Sequence, residues 1–237
     1  MKNRLKNIIK AVASKLQNYI NLRDYNNSKY IGMNERSIEY SYVLNKITEM
    51  RPRLILDVGT GKSALPAIMR NCGPLVTAID NIKDYWSNGM SNKHYHVKDI
   101  DILNPKLNNK YDMITCVSVL EHINNHEQAV INMSNQLNSA GVLIFTLPFS
   151  SEKYIANVYK LQESWAINES YPFITQSFSQ VELEKWLKVA NLELIDIEYW
   201  RLTDGKYWTC GQLLEFPKKS NQFETHQIAC ITLRRNR

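Results

Sequence analysis

The chain has 237 residues, 44% of them hydrophobic and 22% charged, a composition that is typical of a folded protein and excludes intrinsic disorder. The formal net charge is +6: five cations lie within the first 15 residues and no acidic residue precedes Asp24, so the remainder of the chain is nearly neutral. This distribution argues against a nucleic-acid groove across the body of the protein, and the lack of an apolar membrane or signal segment leads us to expect a cytoplasmic protein.

Residues 2–20 are the first predicted element, an amphipathic helix with lysines on much of its polar surface. Its apolar side chains recur at helical spacing: Leu5, Ile8, Ile9, Val12 and Leu16. Such a helix can pack on its own domain, or it can bind a partner helix or an anionic membrane surface. A second helix is predicted from Glu35 to Met50. We therefore expect a helical appendage, residues 1–50, ahead of one large domain, residues 51–237.

Beyond residue 52, apolar β-type runs alternate with helical patterns. This alternation predicts an α/β fold, a doubly wound seven-stranded sheet that is mostly parallel and has helices on both faces. The predicted strands are Arg53–Val58, Leu75–Ile79, His94–Val97, Tyr111–Val119, Gly141–Leu147, Leu192–Trp200 and Gln227–Leu233. The last strand is expected to be antiparallel, because no clear crossover helix precedes it. A Ser-x-x-Glu capping box at Ser179 predicts the start of a helix that runs to Ala190.

A glycine turn follows the first predicted strand. The strand ends in Asp57, and Gly59, Thr60 and Gly61 lead into a helical pattern. Glycines tolerate positive φ and let another molecule approach the backbone, while the free N–H groups of a first helical turn attract electronegative atoms. The turn therefore favours a nucleotide-like ligand. Its spacing, with Ala64, also fits a nicotinamide dinucleotide, so the glycines alone leave both ligand classes open.

Acidic residues end the next two predicted strands. Asp80, followed by Asn81, ends the second strand, and Asp99, followed by Ile100, ends the third. With the glycine turn and its preceding acid, this arrangement resembles the class I S-adenosylmethionine-dependent methyltransferases, although Ser63 stands where that family has a third glycine.

The resemblance implies roles for these side chains in binding S-adenosylmethionine. Asp80, with Asn81 beside it, would accept hydrogen bonds from the ribose diol. Asp99 resembles the family's adenine-contacting acid, and Ile100 would pack on the adenine ring. Asp57 and the residues of the glycine turn complete the expected cofactor site. Each acid could instead be an ordinary loop or helix-capping residue.

Polar residues also follow the fourth predicted strand, at Ser118, Glu121 and His122. This stretch resembles the family's fourth motif, in which a strand delivers polar side chains under the sulfonium. The resemblance adds Ser118 to the cofactor site and makes Glu121 and His122 the candidate catalytic residues. His122 is the preferred general base, since imidazole titrates near neutral pH. A purely structural role for His122 stays open.

Two long segments rich in aromatic residues interrupt the alternation, at residues 148–178 and 201–225. Long loops of this kind usually carry function or form lids. Because ligands of doubly wound sheets bind outside the carboxyl ends of the strands, we expect some of these aromatic side chains to contact the methyl acceptor. The others would fasten the loops to the domain.

Together these features predict a methyltransferase with S-adenosylmethionine as its cofactor. The expected acceptor is a hydroxyl or amine of a small molecule, lipid or glycan, and no nucleic acid is expected. The cysteines lack metal-type spacing, so we expect reduced thiols and no metal.

Two alternatives stay open. An NAD(P)-dependent oxidoreductase would share the glycine turn, but the Tyr-x-x-x-Lys pairs of short-chain dehydrogenases occur only upstream of it, at Tyr25/Lys29 and Tyr42/Lys46. A non-catalytic module would keep the fold as a binding platform.

Overall fold

The computed structural model describes residues 2–30, 34–86 and 88–236, and the chain divides into two compact units, Met1–Asn34 and Glu35–Arg237. The smaller unit contains helix α1 (Lys2–Asn26). This division differs from the domain boundary expected at residue 50. Helix α2 (Arg36–Met50), which we had assigned to the appendage, belongs to the larger unit because four of its side chains are buried in that unit's core: Ile38, Tyr42, Val43 and Ile47.

Within the described residues, the larger unit contains eight strands and five helices. The strands are β1 (Leu54–Val58), β2 (Leu75–Asp80), β3 (Val97–Asp99), β4 (Tyr111–Val117), β5 (Leu137–Pro148), β6 (Leu192–Thr203), β7 (Leu213–Ser220) and β8 (Ile228–Arg235). The helices besides α2 are α3 (Leu65–Asn71), α4 (Ile82–Tyr85), α5 (His126–Gln136) and α6 (Gln180–Val189). Short 3-10 turns cover Leu120–His122 and Val158–Lys160.

The strands form one sheet in the order β3-β2-β1-β4-β5-β8-β6-β7. Strands β1 to β5 pair with one another in parallel. Strand β8 lies between β5 and β6 and is antiparallel to both. The doubly wound, mostly parallel sheet and its antiparallel last strand are therefore confirmed.

An eighth strand, β7, adds to the seven that the sequence predicts. It lies in the segment 201–225 and pairs antiparallel with β6 at the edge of the sheet. Pro217 lies within it. Proline is tolerated in an edge strand, where a missing backbone N–H can face solvent.

Side-chain alternation along the strands divides the core into two layers. On one face of the sheet, Leu56 and Ile114 pack with the buried side chains of α5 and α6. On the other face, Ile55 and Met113 pack with those of α2 and α3. Helices thus cover both faces, and the carboxyl ends of the parallel strands are left to form a site.

The capping box predicted for α6 is also present. The Ser179 side chain accepts a hydrogen bond from the backbone in the first turn of α6, and Glu182 accepts one from the Ser179 N–H at 3.0 Å. No helix in the described ranges is long and apolar enough to cross a membrane.

Candidate active site

Parallel pairing brings most of the predicted site residues to one end of the sheet. Asp57 on β1 is the register partner of Thr115 on β4, and Asp80 on β2 is the partner of Asp99 on β3. Because all four strands run in the same direction, the loops that follow them emerge side by side. The acids that lie far apart in the sequence are thus near neighbours in the fold.

The turn after β1 requires its glycines. Gly59 and Gly61 have φ angles of 71° and 52°, a region that side chains with a Cβ disfavour. A Cβ on Gly59 would lie 2.3 Å from Cγ1 of Val119, so the close approach of the two segments also excludes a larger residue. The N–H groups of Gly59 and Thr60 donate to the Ile79 carbonyl at 2.9 and 3.1 Å, which fixes the turn against β2.

Asp57 braces this turn from inside the protein. Its carboxylate is buried and accepts hydrogen bonds from the hydroxyls of Thr60 and Thr115, both at 2.6 Å. Burial raises the pKa of Asp57 to about 6, although the two hydroxyl groups oppose this shift. Asp57 and Thr60, two of the predicted cofactor residues, therefore bind each other and hold the shape of the turn.

Asp80 connects the glycine turn to an aromatic side chain that the sequence analysis missed. Its Oδ2 accepts the Gly61 N–H at 2.7 Å, and its Oδ1 accepts the indole N–H of Trp86 at 3.0 Å. A Cβ on Gly61 would be 3.4 Å from the Trp86 ring, so the indole covers the turn. Burial raises the pKa of Asp80, and the two hydrogen bonds oppose the shift.

The next predicted cofactor residues surround the short helix α4. Asp99 accepts the backbone N–H groups of Ile82 and Lys83 at 3.0 and 3.3 Å, and its carboxylate pairs with the Lys83 ammonium at 3.0 Å. This lysine lowers the pKa of Asp99. Asn81 caps the same helix through its side-chain oxygen, while Ile100 is partly buried against the core. Asp99 and Asn81 thus hold α4 beside Asp80.

Ser118 is tied to a buried glutamate on α2 that the sequence analysis also missed. Ser118 has a φ of 50°, and its hydroxyl donates to Glu39 at 2.5 Å. Glu39 is fully buried and also accepts from Thr146 at 2.8 Å and from Arg36 at 2.7 Å. These bonds join α2 to the carboxyl ends of β4 and β5. A charged residue next to Ile38, on the apolar side of a predicted helix, was the available signal.

Glu121 lies beside this network with one oxygen unsatisfied. The side chain is 3% exposed, and its Oε2 has no hydrogen-bond partner within the part of the chain that the structure describes. The pKa of Glu121 is raised to about 8, mainly by burial and also by the nearby Glu39, while Arg36 acts to lower it. The carboxyl group is therefore largely protonated at neutral pH.

His122 is oriented by the first aromatic insertion. Its Nδ1 lies 2.7 Å from the Ile174 carbonyl oxygen. Because a carbonyl only accepts, we assign the proton to Nδ1, which leaves the lone pair on Nε2. Burial lowers the pKa of His122, so the ring is neutral at pH 7. A neutral imidazole with a free lone pair can accept a proton.

Aromatic rings lie beside His122: its ring contacts Phe173 of the insertion and Tyr85 of α4, and Tyr159 and Tyr171 pack on Phe173. We call Tyr85, His122, Tyr159, Tyr171 and Phe173 the aromatic cluster. The ring centroids of His122 and Phe173 are 4.9 Å apart, those of Tyr85 and Phe173 6.1 Å, and those of Tyr159 and Tyr171 4.4 Å. Tyr85 and Tyr171 are 44% and 42% exposed, so the cluster is open to solvent.

Other aromatic residues of the insertion serve the core. Phe178 is fully buried with its ring 4.8 Å from that of Trp186 on α6, and Tyr154 packs against Phe178 at 6.0 Å. The insertion thus contains residues that anchor it to the core and residues that belong to the aromatic cluster.

The comparisons with known proteins identify the family. A family model described as a methyltransferase domain matches residues 38–197, more than half of the chain. The chain belongs to this methyltransferase family. A ubiquinone biosynthesis O-methyltransferase of Coxiella burnetii is 26% identical over 171 residues, which cover 68% of this chain and 71% of the relative. The match confirms the class predicted from the sequence, the S-adenosylmethionine-dependent methyltransferases, over the nicotinamide oxidoreductase and the non-catalytic module.

Solved structures show that the methyltransferase shares its fold with this class. The 1,6-didemethyltoxoflavin-N1-methyltransferase of Burkholderia thailandensis superposes with a TM-score of 0.58 at 14% identity, and the match covers 96% of this chain and 90% of that one. The magnesium protoporphyrin IX methyltransferase of Synechocystis has a TM-score of 0.55 at 12% identity and covers 94% of this chain and 100% of its own. At such low identity, these likenesses bear on the fold alone.

Proposed function

We propose that this methyltransferase transfers the methyl group of S-adenosylmethionine to a hydroxyl group on the aromatic ring of a small molecule, with His122 as the general base. The observation that carries the proposal is the orientation of His122. Its Nδ1 is engaged by the Ile174 carbonyl, so the lone pair is on Nε2, and the imidazole ring lies beside the rings of Phe173 and Tyr85.

On the donor side, the chain offers polar groups that fit the nucleoside and the sulfonium of S-adenosylmethionine. A ribose diol can hydrogen-bond to the Asp80 carboxylate, which lies against the glycine turn. We propose that Asn81, Asp99 and Ile100 line the nucleoside end and that Ser118 lies toward the sulfonium. The donor supplies a carbon that its sulfonium has already activated.

The chain itself has to align the acceptor and remove its proton. A phenolic hydroxyl has a pKa near 10 and is mostly protonated at neutral pH. Proton removal by a positioned base adds about 10²–10⁴-fold to the rate, and correct alignment contributes about 7–11 kcal/mol. We assign the first task to His122 and the second to the surrounding rings.

The aromatic cluster supports a planar acceptor. Rings prefer offset or edge-to-face contacts, worth about 0.5–1.5 kcal/mol each beyond the area they bury, and the exposed faces of Tyr85 and Tyr171 offer such contacts. Oxygen as the acceptor atom is supported by the relatives at 23–26% identity, which are named O-methyltransferases.

A second candidate is an amine acceptor, because acidic groups lie near the same rings. The pKa of Tyr159 is raised by burial and by the nearby carboxyl groups of Glu121 and Glu35. Aromatic faces combined with acids attract cations. A protonated amine would, however, need to lose its proton before methyl transfer, and a neutral Glu121 attracts it less.

A methyl-transfer assay with isotope-labelled donor and matched acceptors distinguishes the phenolic hydroxyl from the amine as the acceptor group. Catechol is compared with cyclohexane-1,2-diol, which keeps the vicinal hydroxyls without the aromatic ring, and with benzylamine and a simple sugar. We expect product from catechol alone. Product from benzylamine and none from catechol would favour the amine, and product from the aliphatic diol or the sugar would contradict the proposed role of the rings.

A further inference from the structure

The smaller unit carries the excess positive charge of the chain. Residues 1–30 contain seven of the 29 Lys and Arg residues and one of the 23 Asp and Glu residues, Asp24. The rest of the chain therefore has 22 of each and no formal net charge. Any attraction to an anionic surface through net charge must come from this segment.

Helix α1 also exposes its apolar side chains. Leu5, Ile8, Ile9, Val12 and Leu16 are each between 54% and 62% exposed, and Tyr19 is 65% exposed. At 3.6 residues per turn, these side chains and Ile20 fall within a sector of about 120°. We call this sector the apolar stripe.

Over residues 3–21, cations border the apolar stripe on both sides. Lys6 and Lys10 follow one border and Arg4 and Lys15 follow the other, while Arg23, in the last turn of the helix, falls in the same sector as the stripe but beyond its last apolar residue. The side of the helix opposite the stripe has neutral polar residues: Asn3, Asn7, Ser14, Asn18 and Asn21. Lysine and arginine stems can run along apolar surface while their charged heads reach a polar layer. This order of apolar, cationic and neutral sectors matches a helix that lies in the plane of a bilayer surface.

We infer that α1 binds the surface of an anionic lipid bilayer, with the apolar stripe among the acyl chains and the bordering cations among the head groups. A second copy of the chain fits this helix less well, because paired stripes would bring the bordering cations of both copies together. A stripe of this width also exceeds the narrow seam of a coiled coil. Lipid phosphates complement the cations, and the acyl chains complement the stripe.

The test is co-sedimentation of the full chain with lipid vesicles, without donor or acceptor, so its result is independent of the proposed methyl transfer. One set of vesicles contains phosphatidylcholine alone, and the other contains equal parts of phosphatidylcholine and phosphatidylglycerol. We expect binding to the anionic set only, and weaker binding as salt is raised.

Three double variants assign the binding to the helix. Lys6→Glu with Lys10→Glu should weaken binding at least tenfold, since each cation near an anionic surface contributes about fivefold. Ile9→Gln with Val12→Gln should also weaken it, while keeping good helix formers at exposed positions. The control is Lys106→Glu with Lys188→Glu, which makes the same change in net charge at exposed sites of the larger unit and should bind as the unaltered chain does.

Several outcomes would overturn the inference. The first is absence of binding to anionic vesicles. The second is a control variant that loses as much vesicle binding as the helix variants do, and the third is unchanged vesicle binding in both helix variants. If the unaltered chain binds no vesicles and elutes as a dimer in gel filtration, and Ile9→Gln with Val12→Gln makes it a monomer, the apolar stripe would instead bind a second copy of the chain.

Discussion

Glu121 and His122 are neighbours in the sequence, and burial changes their pKa values in opposite directions. It raises the pKa of Glu121 to about 8 and lowers that of His122. Both shifts favour the uncharged form, because a charge is costly to hold away from water. An uncharged Glu121 exerts little pull on a proton at His122, so the imidazole lone pair stays available at neutral pH.

The proposed role of His122 as a base predicts a specific kinetic change. We expect His122→Gln to lower turnover about 10²–10⁴-fold while donor affinity stays within a factor of a few. In the unaltered enzyme the rate should rise with pH through a pKa below 6.5, because burial lowers the pKa of His122, and the variant should lack this limb.

The matched control is His96→Gln, which changes an exposed histidine. Turnover and donor affinity are measured for each variant together with its thermal midpoint. Near-full turnover by a folded His122→Gln protein would make His122 structural and leave alignment to carry the reaction.

Asp80 is expected to contribute to donor binding through its charge. Asp80→Ala should weaken S-adenosylmethionine binding about ten- to a hundredfold, since hydrogen bonds to a charged group contribute roughly 1.5–3 kcal/mol. The comparison is Asp84→Ala, an exposed acid on α4. Calorimetric titration with the donor measures both, and equal affinities would remove Asp80 from the site.

The raised pKa of Glu121 predicts how stability depends on pH. Between its ordinary value of 4.5 and about 8, the folded chain keeps a proton that the unfolded chain has released. The free energy of unfolding should therefore fall as pH rises through this window, by at most about 1.4 kcal/mol per unit, and this contribution should level off above it.

Glu121→Gln removes this titration. Denaturant unfolding at pH 5 and pH 8 should show the variant gaining stability relative to the unaltered chain as pH rises. Glu169→Gln, an exposed site, should show no such gain. Parallel pH profiles for the Glu121 variant and the unaltered chain would mean that the folded state does not hold this proton.

At the scale of the elements, the sequence predicted those features that short-range patterns encode. Apolar runs bounded by glycines or acids marked the strands that carry Asp57 and Asp80, and the Ser-x-x-Glu spacing marked the start of α6. Strand β7 escaped prediction because it is a largely exposed edge strand that contains Pro217, so it has neither an apolar run nor a regular alternation.

The candidate site was predictable only in part, because some of its contacts join distant segments. The indole of Trp86 on Asp80 depends on how the chain turns after α4, and the bond from Ser118 to Glu39 spans 79 positions. A periodic pattern of side chains within one helix or strand does not indicate which distant residues will form a hydrogen bond. The acids at strand ends were predictable because the parallel sheet itself fixes where they emerge.

The capping box of α6 gives an element-scale prediction about stability. Ser179→Ala removes the side-chain oxygen that accepts from the first turn and leaves Glu182 without its hydroxyl donor, which lies 2.7 Å away. We expect a loss of about 1 kcal/mol, within a range of roughly 0.5–2, and a drop in the thermal midpoint of about 2–4 °C. Ser151→Ala, at an exposed position, should leave the midpoint unchanged.

At the scale of the whole molecule, the net positive charge and the buried core lie in different parts of the chain. The core residues all lie at position 38 or beyond, whereas the net positive charge lies in the first 30 residues. The larger unit therefore contains a complete buried core and every candidate site residue. The folding and the methyl transfer of the larger unit can therefore be measured in a chain that lacks α1.

Two truncated chains test where the folding unit begins. A chain that starts at Glu35 keeps every core residue and should unfold cooperatively at nearly the same guanidinium concentration as the full chain. A chain that starts at Arg51 loses the four buried apolar side chains of α2, each worth about 1.5–3 kcal/mol. That sum is comparable to the roughly 5–15 kcal/mol that stabilises a typical domain.

The shorter chain also loses Glu39, which leaves the buried Thr146 hydroxyl without its acceptor. We therefore expect it to show no cooperative unfolding transition in circular dichroism. Both chains lack α1, so the contrast between them isolates α2. A cooperative transition of unchanged midpoint in the chain from Arg51 would restore the boundary at residue 50. The chain from Glu35 should meanwhile keep its affinity for S-adenosylmethionine, because the glycine turn, Asp80 and the Glu39 network all remain in place.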